Sequence, residues 1–200
     1  MHHLRHSGRP FAEQAAALEA ILRADRVVWP AIERARDFGL PDWMIVSGAI
    51  YNTVWNHLTG RPAGHGIKDI DLFYHDADDL SWEAEDRFIR AGALHFAAVE
   101  LPVEIRNQAR VHLWYEERFG GTVPAFTSSA HALGFFAAET HAVGVRLDAS
   151  ERLEVLAPFG LDAMFSLRMV PNRSIENRRT HAEKAARAKL FWPEVTVEEW

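Results

Sequence analysis

A layered α/β (α+β) domain, in which strands interleave with helices, is what this sequence predicts, and three observations predict it. Two short apolar runs of strand length, residues 43–46 and 67–74, flank a segment in which Ile50, Tyr51, Val54, Trp55 and Leu58 recur at helical spacing. Residues 103–112 alternate strictly, with Val103, Ile105, Asn107, Ala109 and Val111 facing one way and Glu104, Arg106, Gln108, Arg110 and His112 the other. The chain has 200 residues and is 48% apolar, enough for one domain that buries roughly 70% of its unfolded surface.

The elements follow in order. Residues 1–10 are polar, lack the apolar stretch of a secretory signal and predict a mobile terminus on a cytoplasmic protein. From there to residue 200 the pattern reads as a single domain with a helical C-terminal segment. Leu18, Ile21, Leu22, Val28 and Trp29 form one helical stripe, and Pro30 suits the first turn of a second helix ending near Gly39. Ser81 precedes Glu83, Glu85 and Asp86, the polarity a helix N-terminus favours. A short helix or strand extension over 112–119 is stopped by Gly120 and Gly121, and Ser128 or Ser129 caps a helix running through Ala138. Residues 140–148 and 153–156 read as strands joined by a turn, and Asp162 suits the cap of a short helix. A last helix, from about Ile175 to Phe191, gathers Arg178, Arg179, Lys184, Arg187 and Lys189. A solvated helix face is the simpler reading of that cluster, and a lid gripping an anion is the sharper one.

Chemistry concentrates at Asp69 and Asp71. Two positions apart on an apolar strand, both carboxylates point to one face, and two unit charges about 4 Å apart repel by roughly 4 kcal/mol at an effective dielectric near 20. A divalent cation with oxygen ligands relieves that repulsion. Upstream, Ser47-Gly48 joins a strand to a helix: glycine lets a phosphate approach the backbone, serine donates to it, and the free N–H groups of the helix's first turn favour an anion. Glu104 adds a third carboxylate on a polar strand face that also carries Arg106 and Arg110.

This order, Ser47-Gly48, then Asp69 and Asp71, then a lone acidic residue on a later strand, resembles the nucleotidyltransferase superfamily of the polymerase-beta-like fold. More narrowly, Gly48-Ala49-Ile50 with Asn52-Thr53-Val54-Trp55, Asn107-Gln108-Ala109-Arg110 with His112 and Trp114, Pro158-Phe159-Gly160-Leu161-Asp162, Pro171-Asn172, and Lys189 with Trp192-Pro193 look like a bacterial family of nucleotidyltransferase-like proteins. Some members carry a second acidic residue after the Gly-Leu-Asp motif, where this chain has Ala163. The resemblance implies a mixed sheet flanked by helices and transfer of a nucleoside monophosphate from a nucleoside triphosphate to an acceptor, with pyrophosphate released. It implies Mg²⁺, with Mn²⁺ able to substitute, held by Asp69, Asp71 and Glu104 as the catalytic carboxylates. Ser47 and Gly48 are then expected at the terminal phosphates, with Arg106, Asn107 and Arg110 as further nucleotide contacts. The acceptor, RNA, protein or small molecule, is left open.

Other classes are disfavoured. Zero cysteines exclude disulfides and thiolate metal sites, and no apolar run reaches the roughly 20 residues of a membrane helix. A formal net charge of −6 argues against broad adhesion to nucleic acid or acidic membranes. Gly60, Gly64 and Gly66 lack the strand before and the Gly-Lys-Ser/Thr after that a phosphate-binding Walker loop requires, which leaves a flexible loop beside the cleft. The eleven histidines show no zinc spacing, so a histidine-ligated hydrolase is the weakest reading. A nucleotide-binding module without chemistry on the same fold remains the main alternative to an enzyme.

Overall fold

The computed structural model describes residues 2–200. Five strands, β1 (Met44–Val46), β2 (Ile70–Tyr74), β3 (Val103–Asn107), β4 (Gly144–Leu147) and β5 (Leu153–Leu156), form a mixed sheet in the order β3-β2-β1-β4-β5. β1 runs antiparallel to both β2 and β4, β2 and β3 are parallel, and β4 and β5 are antiparallel. The parallel pair needs a crossover, and α4 (Trp82–His95) supplies it, with Ser81 Oγ accepting from Ala84 N as its cap.

The remaining helices are α1 (Phe11–Ala24), α2 (Trp29–Phe38), α3 (Gly48–Thr59), α5 (Tyr115–Phe119), α6 (Ser129–Leu133), α7 (Asp162–Phe165) and α8 (Arg178–Phe191), and a small parallel pair joins β6 (Arg168–Met169) to β7 (Thr196–Val197). One sheet face carries Ile45, Ile70, Leu72, Ile105 and Val145 into a core shared with α1, α2, α3, α7 and the end of α8. Burial of such aliphatic side chains contributes about 1.5–3 kcal/mol each. The opposite face is covered differently. Met44 and Val46 meet Leu133 of α6 and Phe136, while Asp71 and Phe73 of β2 and Glu104 and Arg106 of β3 are only partly covered. The period of two in β2 therefore divides Ile70, Leu72 and Tyr74, which hold the fold, from Asp71 and Phe73, which face a cleft.

The sequence reading departs from this structure in several places. The stripe in the first helix breaks at Asp25, whose carboxylate accepts from the Val27 and Val28 amides before α2 begins. The strand expected over 103–112 ends at Asn107, and Gln108–Leu113 is a 3₁₀ turn. Ser128 does cap α6, but Gly134 follows that helix after one turn, well short of Ala138. Met1 lies outside the described residues. Within the segment expected to be mobile, Leu4 packs on the core, Ser7 Oγ sits 2.6 Å from Ser166 Oγ, and Gly8 N donates to Asp162 Oδ1 at 2.6 Å. Asp162 thus anchors the N-terminal segment to α7.

Candidate active site

β1 delivers the chain to Ser47, which has φ 56° and ψ −118°, a conformation rarely adopted by a residue with a Cβ. Strain of this kind costs about 1–3 kcal/mol and collects at functional sites. It lets the chain turn sharply out of the sheet. Ser47 N donates to Val143 O at 2.9 Å and Ser47 O accepts from Ile50 N and Tyr51 N, which starts α3 against the strand end. The Ser47 side chain makes no capping bond, so its hydroxyl is not used to satisfy α3.

The cleft beside this bend has a volume of about 280 Å³ and is lined by Ser47, Gly48, Asn52, Lys68, Asp69 and Asp71, closed from above by Lys184, Arg187 and Trp192 of α8 and its end. Asp71 faces Val46 of β1 and Glu104 of β3 in the strand register. Burial, first, and then the charges of Asp69 and Glu104 push the Asp71 carboxyl up from 3.8 to about 6, against a smaller opposing pull from Lys184 and Arg106. Among the described residues the Asp71 side chain forms no hydrogen bond or ion pair, and neither does that of Lys184. Lys68 Nζ pairs with Asp69 at 3.0 Å, and Arg106 approaches Glu104 at 3.4 Å.

Among the described residues no group of three or more His, Asp or Glu side chains is drawn together as a metal cage. The three predicted carboxylates are close enough to act on one another electrostatically, but the outer two lean toward a lysine and an arginine. The donor set nonetheless fits Mg²⁺, which prefers oxygen ligands and is commonly held by one or two carboxylates together with substrate phosphates.

The structure separates the remaining predicted residues. Arg106 lies on the cleft face but beyond Asp71, in a second cavity of about 290 Å³ that also takes in Glu104 and Phe73. Asn107 and Arg110 lie elsewhere: both are buried and line neither cavity. Asn107 Oδ1 accepts from Asp76 N and Ala109 N, its Nδ2 donates to Asp76 O, and its own N–H donates to Glu85. Arg110 pairs with Glu85 and donates to Leu80 O. These two residues hold the loop after β2 and α4 against β3.

Three groups join the site beyond the residues assigned to it from the sequence. Asn52 presents a buried Oδ1 with no partner. Tyr51, on the same wall, has its phenol pushed up by burial and stacks at 4.4 Å on His141, a buried imidazole without a hydrogen bond at either nitrogen, held neutral by burial and then by Lys184 and His181. The basic C-terminal helix divides its cations: Lys184 and Arg187 reach the cleft, whereas Arg179 pairs with Glu183 and Lys189 donates to Pro193 O and Val195 O. Gly66, in the glycine-containing loop, approaches Trp192 so closely that a Cβ there would lie 2.5 Å from the ring. Trp192 Nε1 in turn donates to Asn56 Oδ1 of α3 at 2.9 Å.

A five-strand mixed sheet with a strained Ser-Gly bend leading into a helix, with Asp71 on the adjacent strand and Asp69 just before it, defines a nucleotidyltransferase-type fold. A solved NMR structure described as revealing a CCA-adding enzyme head domain is similar to this chain, with TM-score 0.74, 22% sequence identity, and coverage of 92% of this chain and 94% of the other. At that identity the likeness speaks to the fold alone. The chain belongs to a nucleotidyltransferase family, whose model matches residues 33–197. No curated protein sequence matches it. Among the described residues no helix is long and apolar enough to cross a membrane.

Proposed function

We propose that this protein transfers a nucleoside monophosphate from a nucleoside triphosphate to an acceptor hydroxyl and releases pyrophosphate, using Mg²⁺ or Mn²⁺. The observation that carries this reading is Asp71: partly covered, unpaired, raised to about 6 by burial and by Asp69 and Glu104, and facing a cleft whose other wall is Ser47-Gly48 with Lys184 and Arg187 above. Asp69 and Asp71 would hold the metal, with Glu104 as the third oxygen donor. The bound cation would neutralise triphosphate charge and stabilise the charge developing at phosphorus. Ser47, Gly48 and the first N–H groups of α3 hold the terminal phosphates, and Lys184 and Arg187 offset their charge. Glu104 accepts the acceptor's hydroxyl proton as the new O–P bond forms at the α-phosphorus and the bond to the pyrophosphate oxygen breaks.

The purified protein, incubated with Mg²⁺, α-labelled triphosphates and pools of RNA, protein or metabolites, is expected to release pyrophosphate and label an acceptor. Asp71→Asn should abolish both while leaving the circular dichroism spectrum unchanged. Wild-type turnover by that variant would refute the mechanism. The ion pair between Glu104 and Arg106 favours a second reading, a nucleotide-binding module without chemistry, for which triphosphate binding would occur with no pyrophosphate released from any pool.

A further inference from the structure

Asp71 and Lys184 are the only described residues that line both cavities. The triphosphate site accounts for one cavity and leaves the other without a role. Phosphoryl transfer places the attacking and leaving oxygens roughly in line through phosphorus. With the terminal phosphates at Ser47-Gly48, pyrophosphate leaves on that side of Asp71, and the attacking hydroxyl must approach from the opposite side. The second cavity, entered past Glu104 and Arg106, lies there.

Its walls are unlike those of the phosphate cleft. Phe73 of β2, Trp114, Tyr115 and Phe119 around α5, and Phe126 and Phe135 flanking α6 face into it. Tyr115 and Phe119 lie 4.9 Å apart and Phe126 and Phe135 5.0 Å apart, two ring pairs that line the same cavity. Phe119 remains 53% exposed. Aromatic faces of this kind, with a few polar groups to fix orientation, are how proteins hold flat ligands. The volume of about 290 Å³ lies near the lower limit for small-molecule sites.

The polar groups identify the rest of the ligand. Glu104 and Asp71 stand where the reacting hydroxyl must be. Arg118, whose guanidinium lies 5.6 Å over the Phe119 ring, has no carboxylate partner among the described residues and is available to an anion. A long polyanion fits less well, since α5 exposes Glu116 and Glu117 beside the same wall and the chain carries a net charge of −6.

Resting on the reading above, we propose that the aromatic cavity is the acceptor site and that the acceptor is a small hydroxylated aromatic molecule bearing an anionic group. The ring packs against the aromatic side chains of the cavity, the hydroxyl meets Glu104, and the anion meets Arg118.

Calorimetric titration with 4-hydroxybenzoate, 3-hydroxybenzoate and 4-hydroxyphenylacetate tests this, in the presence of Mg²⁺ and α,β-methylene ATP. At least one of the three should bind the wild type. Its ring-saturated counterpart should bind at least tenfold more weakly, as should the original compound to Arg118→Ala and Trp114→Ala, with α,β-methylene ATP binding both variants as it binds the wild type. Failure of all three to bind, equal binding of the saturated counterpart, or displacement by a short RNA oligonucleotide would overturn the proposal. Loss of α,β-methylene ATP binding in Arg118→Ala would assign the cavity to the nucleoside instead. If the wild type binds none of the nucleotide analogue, the transferase reading falls, and the acceptor assignment falls with it.

Discussion

Asp71 and Glu85 are two acidic side chains drawn out of water within one domain, and their surroundings differ completely. Glu85 is 3% exposed and fully answered: the Asn107 amide donates to one oxygen and the Arg110 guanidinium pairs with the other. Asp71 has no such partner, and its nearest charged influences include two further carboxylates. Both depend on the short stretch from Glu104 to Arg110. Its first half faces Asp71, and its second half turns away to hold Glu85. A buried charge with its partners supplied is part of the scaffold, whereas one kept without them is poised for something the protein does not itself contain.

The contrast can be broken most severely on the paired side. Arg110→Ala leaves Glu85 buried and unpaired, which should cost about 3–5 kcal/mol in urea denaturation. A loss below about 1 kcal/mol, together with weakened triphosphate binding, would mean that Arg110 belongs to the site after all. On the unpaired side the sign is opposite. A carboxyl raised from 3.8 to about 6 holds its proton more tightly when folded, so the contribution of Asp71 to stability declines as pH rises from about 4 to about 7 and is constant above that range. Asp71→Asn should remove this dependence. In metal-free buffer at pH 8 it should be more stable than the wild type by about 3 kcal/mol; denaturation curves of the two proteins at several pH values make the comparison.

Mg²⁺ should supply what the fold withholds. At 100 times its dissociation constant, a ligand bound only by the folded state stabilises by about 2.7 kcal/mol. Thermal unfolding should show that gain in the wild type and none in Asp71→Asn. Ser47→Gly sharpens the comparison with the smallest effect. Glycine accepts φ 56° without strain, so stability should rise by about 1 kcal/mol while triphosphate affinity falls several-fold with the lost hydroxyl. Equal affinity in the two proteins would remove Ser47 from the phosphate site.

The order of strands and helices was legible because period-two and helical spacings are local properties, and Ser81 and Ser128 announced their caps for the same reason. Residues 103–112 show where that legibility stops. Their alternation continues past Asn107, but the Asn107 side chain accepts from Ala109 N two residues on and turns the backbone out of the sheet. Arg110, read as facing phosphate, was thereby sent to Glu85, a partner 25 residues distant. Asp71 and Glu104 were readable because neighbouring strands carry them in register, and Asp69 because it immediately precedes the first of those strands. For Lys184 and Arg187 the sequence offered a solvated face or a lid over an anion and could not decide between them, since their place over the cleft depends on how α8 folds back on α3. The aromatic cavity had no signal at all. Its walls come from β2, α5 and the chain around α6, and no spacing in the sequence joins them.

Gly66 gives the loop before β2 a part in this arrangement. Because the loop backbone abuts the Trp192 ring, and that ring is fastened to Asn56, the connector behaves as a shim that sets the height of the cationic helix above the strand ends. Arg187 reinforces the spacing by donating to the Gly66 carbonyl at 3.1 Å. A single methyl group added at this point would tilt the roof of the cleft and so alter how the protein meets negative charge.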